Sequence, residues 1–380
     1  MSVDTVTAAT PGQTEPDQTL PGEGADAAGR EEFPGFGGIA LPAGFELIAQ
    51  DEALGPDVLQ GLADVEARLG EALRYTDALA DTAARHLLEA GGKRVRPLLT
   101  LLAARAAGAA EITGDVLDAA VVTELTHLAT LYHDDVMDEA ATRRGTDAAH
   151  RIWGNSVAIL TGDLALGAAM RAVASAPVPR ERMLQLLDLF DHTLAVSAAG
   201  ELADVRLSLG CEEPTLQEAL SVAEQKTAVY SFSLPMQCGA VLADSPDQLV
   251  DGLGRIGRHL GLAYQLVDDL TAVFGTPAQT GRPGIAGDLR EGKRTPLVVH
   301  ARTTSAWPVL ERHLGDPDLD EQGVEHVRAA LTTAGSRSFV DDLATQQLRE
   351  ATTLAEDLSL PPELVTWVGE VAGSLEGGVA

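Results

Sequence analysis

Residues 58–90, VLQGLADVEARLGEALRYTDALADTAARHLLEA, decide the fold class, because their apolar positions recur every three or four residues and nowhere alternate. That spacing gathers the apolar side chains on one side of a helix, and Ala, Leu, Glu and Arg are strong helix formers. The same texture continues outward along most of the chain. It is broken where helices should stop: at GGK (91–93), GAAEITGD (108–115), SAPVPRE (175–181), GCEEPT (210–215), ADSPDQ (243–248) and GTPAQTGRPG (275–284). About a dozen helices fit between these breaks. The expectation is an all-α protein, a single large helical bundle over residues 46–380, with no fixed-period repeat and no composition shift to mark a second domain. Residues 1–45 are rich in Gly, Pro, Thr, Ala and Asp and show no helical or strand period. Such a segment cannot bury enough apolar surface to offset the entropy of ordering, so it reads as a flexible tail.

Charge narrows the function. The chain carries 57 acidic and 27 basic residues, a net charge of −30, which argues against nucleic acid or an anionic membrane surface as the main partner. Any anionic ligand must be held by local clusters of Lys and Arg. Only two cysteines occur, Cys211 and Cys238, too few for a disulfide framework or a zinc site, so a reducing cytoplasm is the expected setting. No basic segment leads into an apolar run at the N-terminus, and no run of ~18 uncharged apolar residues suggests a membrane span.

Against that background, LYHDDVMDEAATRRG (131–145) concentrates charge of both signs. Helical spacing continues through the acidic run, so Asp134 and Asp138 stand one turn apart on one face, with Asp135 beside them. Like charges at that spacing are destabilising without a counter-ion, and Leu128, Leu131, Val136 and Met137 make a solvated acidic face a poor explanation. A second pair, Asp268 and Asp269, ends the apolar helix of GLAYQLVDDLTAVFG. Carboxylates without His or Cys suit Mg²⁺, which binds through one or two of them plus substrate phosphates. Separate cations complete the pattern: Lys93, Arg94 and Arg96 in GGKRVRP at a helix start, Arg143 and Arg144 after the first acidic cluster, Lys226 beside Thr227, then Arg282, Lys293 and Arg294. Two acidic clusters and separate basic groups call for two diphosphate sites, one bridged by metal and one held by Arg and Lys alone. His127, seven residues before Asp134, lies two turns along the same face. Two other patterns carry little. GLGRIG (252–257) matches a dinucleotide fingerprint but lies inside a helical run, and GDLREGKRT (287–295) lacks the hydroxyl and the preceding strand of a phosphate loop.

The motifs GGKRVRP, LTHLATLYHDDVMDEAATRRG, WGNSVAILTGDLAL, QKTAVYS, AYQLVDD and GDLREGKRTPL occur in the order found in the trans-type polyprenyl diphosphate synthases, which this sequence resembles over nearly the whole helical region. The resemblance implies an isoprenoid-synthase bundle around a central cavity, usually a homodimer. It also implies a Mg²⁺-dependent condensation of isopentenyl diphosphate with an allylic diphosphate. Carried over by motif, Asp134, Asp138 and Asp268 would bind metal, with Asp135 and Asp269 in support. Lys93, Arg96, His127 and Arg144 would hold isopentenyl diphosphate, and Arg143, Lys226 and Lys293 the allylic diphosphate. Thr227 and Gln265 would line the reacting centre.

Two departures from the family pattern stand out. Ala272 occupies the place of a third aspartate in the second cluster, and Arg282 the place of a lysine. Small residues at Ala129 and Thr130, one turn before Asp134, leave the chain-elongation side open, while Tyr132 projects the other way; the small-residue run LALGAAM (164–170) either lines that tunnel or serves close helix packing. The expected product is a medium- or long-chain all-trans polyprenyl diphosphate, with geranylgeranyl or farnesyl diphosphate as the short-chain alternative. A class I terpene cyclase would need a second metal motif of Asn, Ser and Glu that is not found. A non-catalytic partner subunit is kept open by Ala272.

Overall fold

The computed structural model describes residues 54–208, 213–275, 286–362 and 365. The segment 1–45, Cys211 and Arg282 lie outside the described residues. Among those described, fifteen α-helices and one π-helical segment make up most of the chain. They are α1 (Gly55–Ala72), α2 (Ala78–Glu89), α3 (Val95–Ala106), α4 (Gly114–Met137), α5 (Ala149–Trp153), α6 (Asn155–Ser175), α7 (Arg180–Ser208) and α8 (Leu216–Ala223). The π-helical segment Glu224–Ser233 follows, then α9 (Leu234–Leu242), α10 (Asp247–Phe274), α11 (Gly287–Glu291), α12 (Pro296–Ala301), α13 (Trp307–Leu310), α14 (Glu321–Thr333) and α15 (Ser336–Asp357). The count exceeds the expected dozen because α5, α11, α12 and α13 are at most six residues long, too short to show a period.

Sequence signals account for several boundaries. Asp77 caps α2 by accepting from the Ala80 N–H, and Thr215 with Glu218 forms a reciprocal capping box at α8. One feature outside the all-α expectation is a two-residue hairpin, β1 (Thr142–Arg143) with β2 (Thr146–Asp147). Its turn residues Arg144 and Gly145 have φ of 52° and 79°, the pair of positive values that a tight turn between twisted strands needs. The turn therefore aims the two adjacent arginines to different places.

The core forms two contiguous parts. The larger unites α1 to α6 with α9, the first half of α10 and the end of α15, and the smaller joins the second half of α10 to α11–α14 and the start of α15. Glycines serve packing in α10: a Cβ on Gly257, the last of GLGRIG, would lie 2.7 Å from the Ser233 Cα, and one on Gly261, a turn further on, 2.6 Å from the Ala228 Cα. They bring α10 against the π-helical segment. α6 packs its small residues on α4, where Gly162 makes room for the His133 ring. α6 is also long and apolar enough to cross a membrane by length and composition alone, although it carries Asp163 and Arg171. Its outer face exposes Ile159, Leu160 and Met170.

Candidate active site

Three elements meet around the first acidic cluster: the end of α4, the π-helical segment and α7. Asp134 faces Lys226 across this space, and the Lys226 Nζ lies 2.7 Å from Asp204 Oδ2 and 2.8 Å from Glu201 Oε2. Gly200 makes the approach possible, because a Cβ there would come within 2.6 Å of the Lys226 backbone nitrogen. Burial works against the charge on Lys226, yet Asp204, Asp134 and Glu201 together hold its ammonium well above the usual range. Burial, opposed by Lys226 and reinforced by Glu201 and Asp138, pushes the Asp134 carboxyl up to about 7. So many carboxylates around one partly buried space are short of positive charge, which is the condition that draws in a cation.

Asp138 caps the end of α4, and its Oδ2 lies 3.5 Å from Lys293 Nζ. Lys293 also reaches Glu291 at 2.9 Å and Asp288 at 3.9 Å, and burial notwithstanding, these carboxylates hold it above its usual range. It thus stands between the two acidic clusters. Asp268 is exposed on α10, whereas Asp269 is buried and accepts a 2.7 Å hydrogen bond from Gln265. Burial, followed by Asp288, pushes the Asp269 carboxyl well above its usual range. Gln265 is therefore committed to Asp269, and Thr227 is half-buried one residue beyond Lys226.

Asp135 is 1% exposed, and its Oδ1 accepts from Arg143 Nε at 2.7 Å, while its Oδ2 is buried without a partner. It lies beneath the cluster, where it braces Arg143. Among the described residues no three Asp, Glu, His or Cys side chains converge tightly enough to hold a metal ion unaided. Ligands from water and diphosphate would have to complete any magnesium shell, and the donor set, all carboxylate, is of the kind magnesium takes.

The basic groups gather one to two turns lower. Arg96 Nη2 donates to Ser231 Oγ at 2.7 Å, and its guanidinium lies 5.1 Å from the Tyr230 ring centre. His127 Nδ1 is 3.4 Å from the Tyr230 hydroxyl, with the two rings stacked at 6.1 Å. Burial, then Arg96, Arg144 and Arg143, hold the His127 imidazole well below its usual range, so it is a neutral hydrogen-bonding group. Arg144 Nη1 donates to the carbonyls of Leu87, at 2.8 Å, and Gly91. Burial, countered by Glu124 and reinforced by Arg94, Arg96 and Arg143, brings the Arg144 guanidinium down to about 10. Cations that depress one another in this way make an anion site. Lys93 is exposed at its rim.

One expectation is corrected. Arg94, read with its neighbours as an anion-binding cation, is 3% exposed and paired with Glu124 at 2.9 Å and with Glu66. It locks the GGK loop to α1 and α4, and glycine at 92 permits this, since a Cβ would meet Arg94 Nη1 at 2.8 Å and Arg144 Cζ at 3.0 Å. The sequence reading passed over Glu201, Asp204, Tyr230, Ser231 and Asp288. GELAD does place Glu201 and Asp204 one turn apart, the same signal as the first cluster, but nothing in the sequence showed that Lys226 would stand opposite.

Residues 77–331 match the family model described as polyprenyl synthetase. The chain belongs to the polyprenyl synthetase family. It is a prenyltransferase of the all-α isoprenoid-synthase fold, as the sequence motifs implied. It is 32% identical to the nonaprenyl diphosphate synthase of Mycobacterium tuberculosis over 83% of this chain and 90% of that protein. It is also 32% identical to the geranylgeranyl diphosphate synthase of Methanosarcina mazei, over 74% and 84%. Among solved structures, a geranylgeranyl pyrophosphate synthase from Corynebacterium glutamicum, complexed with isoprenyl diphosphate and magnesium, superposes with a TM-score of 0.73. It is 28% identical and matches over 83% of this chain and 96% of that one.

Proposed function

We propose that the protein condenses isopentenyl diphosphate with an allylic diphosphate, with Mg²⁺, to give a medium- or long-chain all-trans polyprenyl diphosphate. The observation that carries this is the arrangement of Asp134 and Asp138 against Lys226 and Lys293, with the Arg96, His127 and Arg144 cluster one to two turns away along α4. Arg96, His127, Arg144 and Lys93 hold the diphosphate of isopentenyl diphosphate. Lys226, Lys293 and Arg143 face the allylic diphosphate, and Asp134, Asp138 and Asp268 hold the magnesium, with Asp135 and Asp269 supporting them from beneath. When bound, magnesium neutralises the diphosphate and makes it a better leaving group.

In the reaction, the allylic carbon–oxygen bond breaks, the isopentenyl double bond attacks the resulting cation, and loss of a proton restores an allylic diphosphate. The lysines and arginines stabilise the departing charge, and the Thr227 hydroxyl stands beside Lys226 to face the cation. Neutral His127 donates or accepts without adding charge. The elongation side lies along α4, where half-buried Thr130 presents no aromatic ring of its own, and this supports the longer product over geranylgeranyl diphosphate.

A homodimer is supported by large apolar side chains left exposed on three successive helices, Ile152 on α5, Ile159 and Leu160 (61%) on α6 and Leu202 (66%) on α7. Light scattering on the wild type and on Leu160→Asp tests it: a dimer that the substitution splits supports the assignment, and a monomeric wild type rejects it. With only two cysteines in the sequence, and Cys238 buried as a free thiol, a reducing cytoplasm fits the chain. The reaction is tested with labelled isopentenyl diphosphate, Mg²⁺ and dimethylallyl, geranyl, farnesyl or geranylgeranyl diphosphate in turn. A ladder of prenyl alcohols after dephosphorylation is expected. Hydrocarbon released from a single substrate would mean a cyclase, and silence with every primer a partner subunit.

A further inference from the structure

Below the first acidic cluster, α4 packs antiparallel to the π-helical segment and to α9, which continues it. Their residues pair off level by level. At the top Asp134 faces Lys226. About 6 Å lower, at 1.5 Å per residue along α4, the Thr130 hydroxyl meets the Tyr230 hydroxyl at 3.4 Å. About 18–22 Å below Asp134, Val122 and Ala119 share a small apolar pocket with Leu234 and Cys238, which Leu186 and Phe190 of α7 close.

Tyr230 therefore faces α4 at a level between the reacting centre and the apolar pocket. It is 7% exposed, and its hydroxyl lies 3.4 Å from each of Thr130 Oγ1, Arg96 Nη2 and His127 Nδ1. We propose that Tyr230 is the residue that sets product length: a growing prenyl tail meets its ring one turn beneath Asp134 and must displace it to reach the pocket beyond. The proposal rests on the prenyl-elongation reading above and moves the decisive bulk from α4 to the facing wall. Ala129, the obvious position on α4, is 1% exposed and packed within the core.

The contacts that hold the ring suit a barrier that yields. Three polar contacts of 3.4 Å lie at the long edge of hydrogen bonding, so none alone fixes the rotamer. The residue also sits in π-helical backbone, whose wider turn is itself a common feature of functional sites. Growth slows where the tail first meets the ring and continues when the ring swings aside.

The test compares chain lengths from farnesyl diphosphate and labelled isopentenyl diphosphate for wild type, Tyr230→Phe, Tyr230→Leu and Tyr230→Trp. Removing the ring in Tyr230→Leu should lengthen the dominant product by at least one isoprene unit, and Tyr230→Trp should shorten it. Tyr230→Phe keeps the ring, so product length should hold while the KM for isopentenyl diphosphate rises severalfold with loss of the contacts to Arg96 and His127. Wild-type chain length in both the Leu and Trp variants overturns the proposal. If only one of them folds, an unshifted profile in that one overturns it equally. Failure of the underlying reading looks different, because the wild type itself would then incorporate no label.

Discussion

The two acidic clusters begin with the same pair of adjacent aspartates and diverge in what surrounds them. In each, the first aspartate stays accessible, Asp134 half-buried and Asp268 exposed, while the second is buried and tied down by a neighbour. Asp135 is held by a guanidinium and Asp269 by an amide. An aspartate pair on a helix spans about 100° of its face, so one member can face the cavity only if the other turns into the protein and finds a partner there. The clusters differ one turn further on. The first adds Asp138, within 3.5 Å of Lys293, whereas the second has Ala272 and depends on Asp288, which comes from α11, for its next carboxylate. On the proposed function, metal binding is thus concentrated on α4, with α10 in the lesser role.

Substitutions sharpen that contrast. Asp134→Ala should lower label incorporation by about 10³-fold, with helicity by circular dichroism unchanged, because removing one of several crowded carboxylates relieves repulsion. Asp268→Ala should cost less, about 10²-fold in the same assay, and equal losses at the two sites would break the asymmetry. The buried members should differ in stability. Asp135→Asn leaves Arg143 without its anion and should destabilise by about 2–3 kcal/mol, read by thermal unfolding. Ala272→Asp should lower the Mg²⁺ concentration for half-maximal activity by about tenfold, and no change would show that Asp288 already fills the role. The smallest effect belongs to Asp269→Asn, which keeps the acceptor for Gln265 and removes a carboxyl that burial already disfavours as an anion. Its unfolding midpoint should stay within the equivalent of about 0.5 kcal/mol of wild type.

Much of this arrangement follows from local spacing and is legible in the sequence. The one-turn separation of Asp134 and Asp138 fixes their shared face, and the outward direction of Tyr132 follows from the same rotation. Its hydroxyl donates to the Ala83 carbonyl at 2.7 Å on α2, on the side of α4 away from the π-helical segment. His127 and Asp134, two turns apart, both face the π-helical segment, at Tyr230 and Lys226 respectively. Partners distant in sequence could not be seen this way. Arg94 looks like its neighbours Lys93 and Arg96 until Glu124 and Glu66 arrive from other helices to bury it. Tyr230 lies in QKTAVYS, a stretch whose helical appearance conceals the wider π turn that carries Lys226 and Tyr230 along one wall. The hairpin escaped for a different reason, since two-residue strands have no period to detect.

The central claim is that one diphosphate is held through metal and the other by side-chain cations alone. Calorimetric titration of isopentenyl diphosphate, and separately of a non-reacting thio analogue of farnesyl diphosphate, each with Mg²⁺ and with a chelator in its place, measures that directly. The account predicts that isopentenyl diphosphate binds in both conditions and that the allylic analogue binds only with Mg²⁺. Metal dependence for both ligands, or for neither, would contradict it.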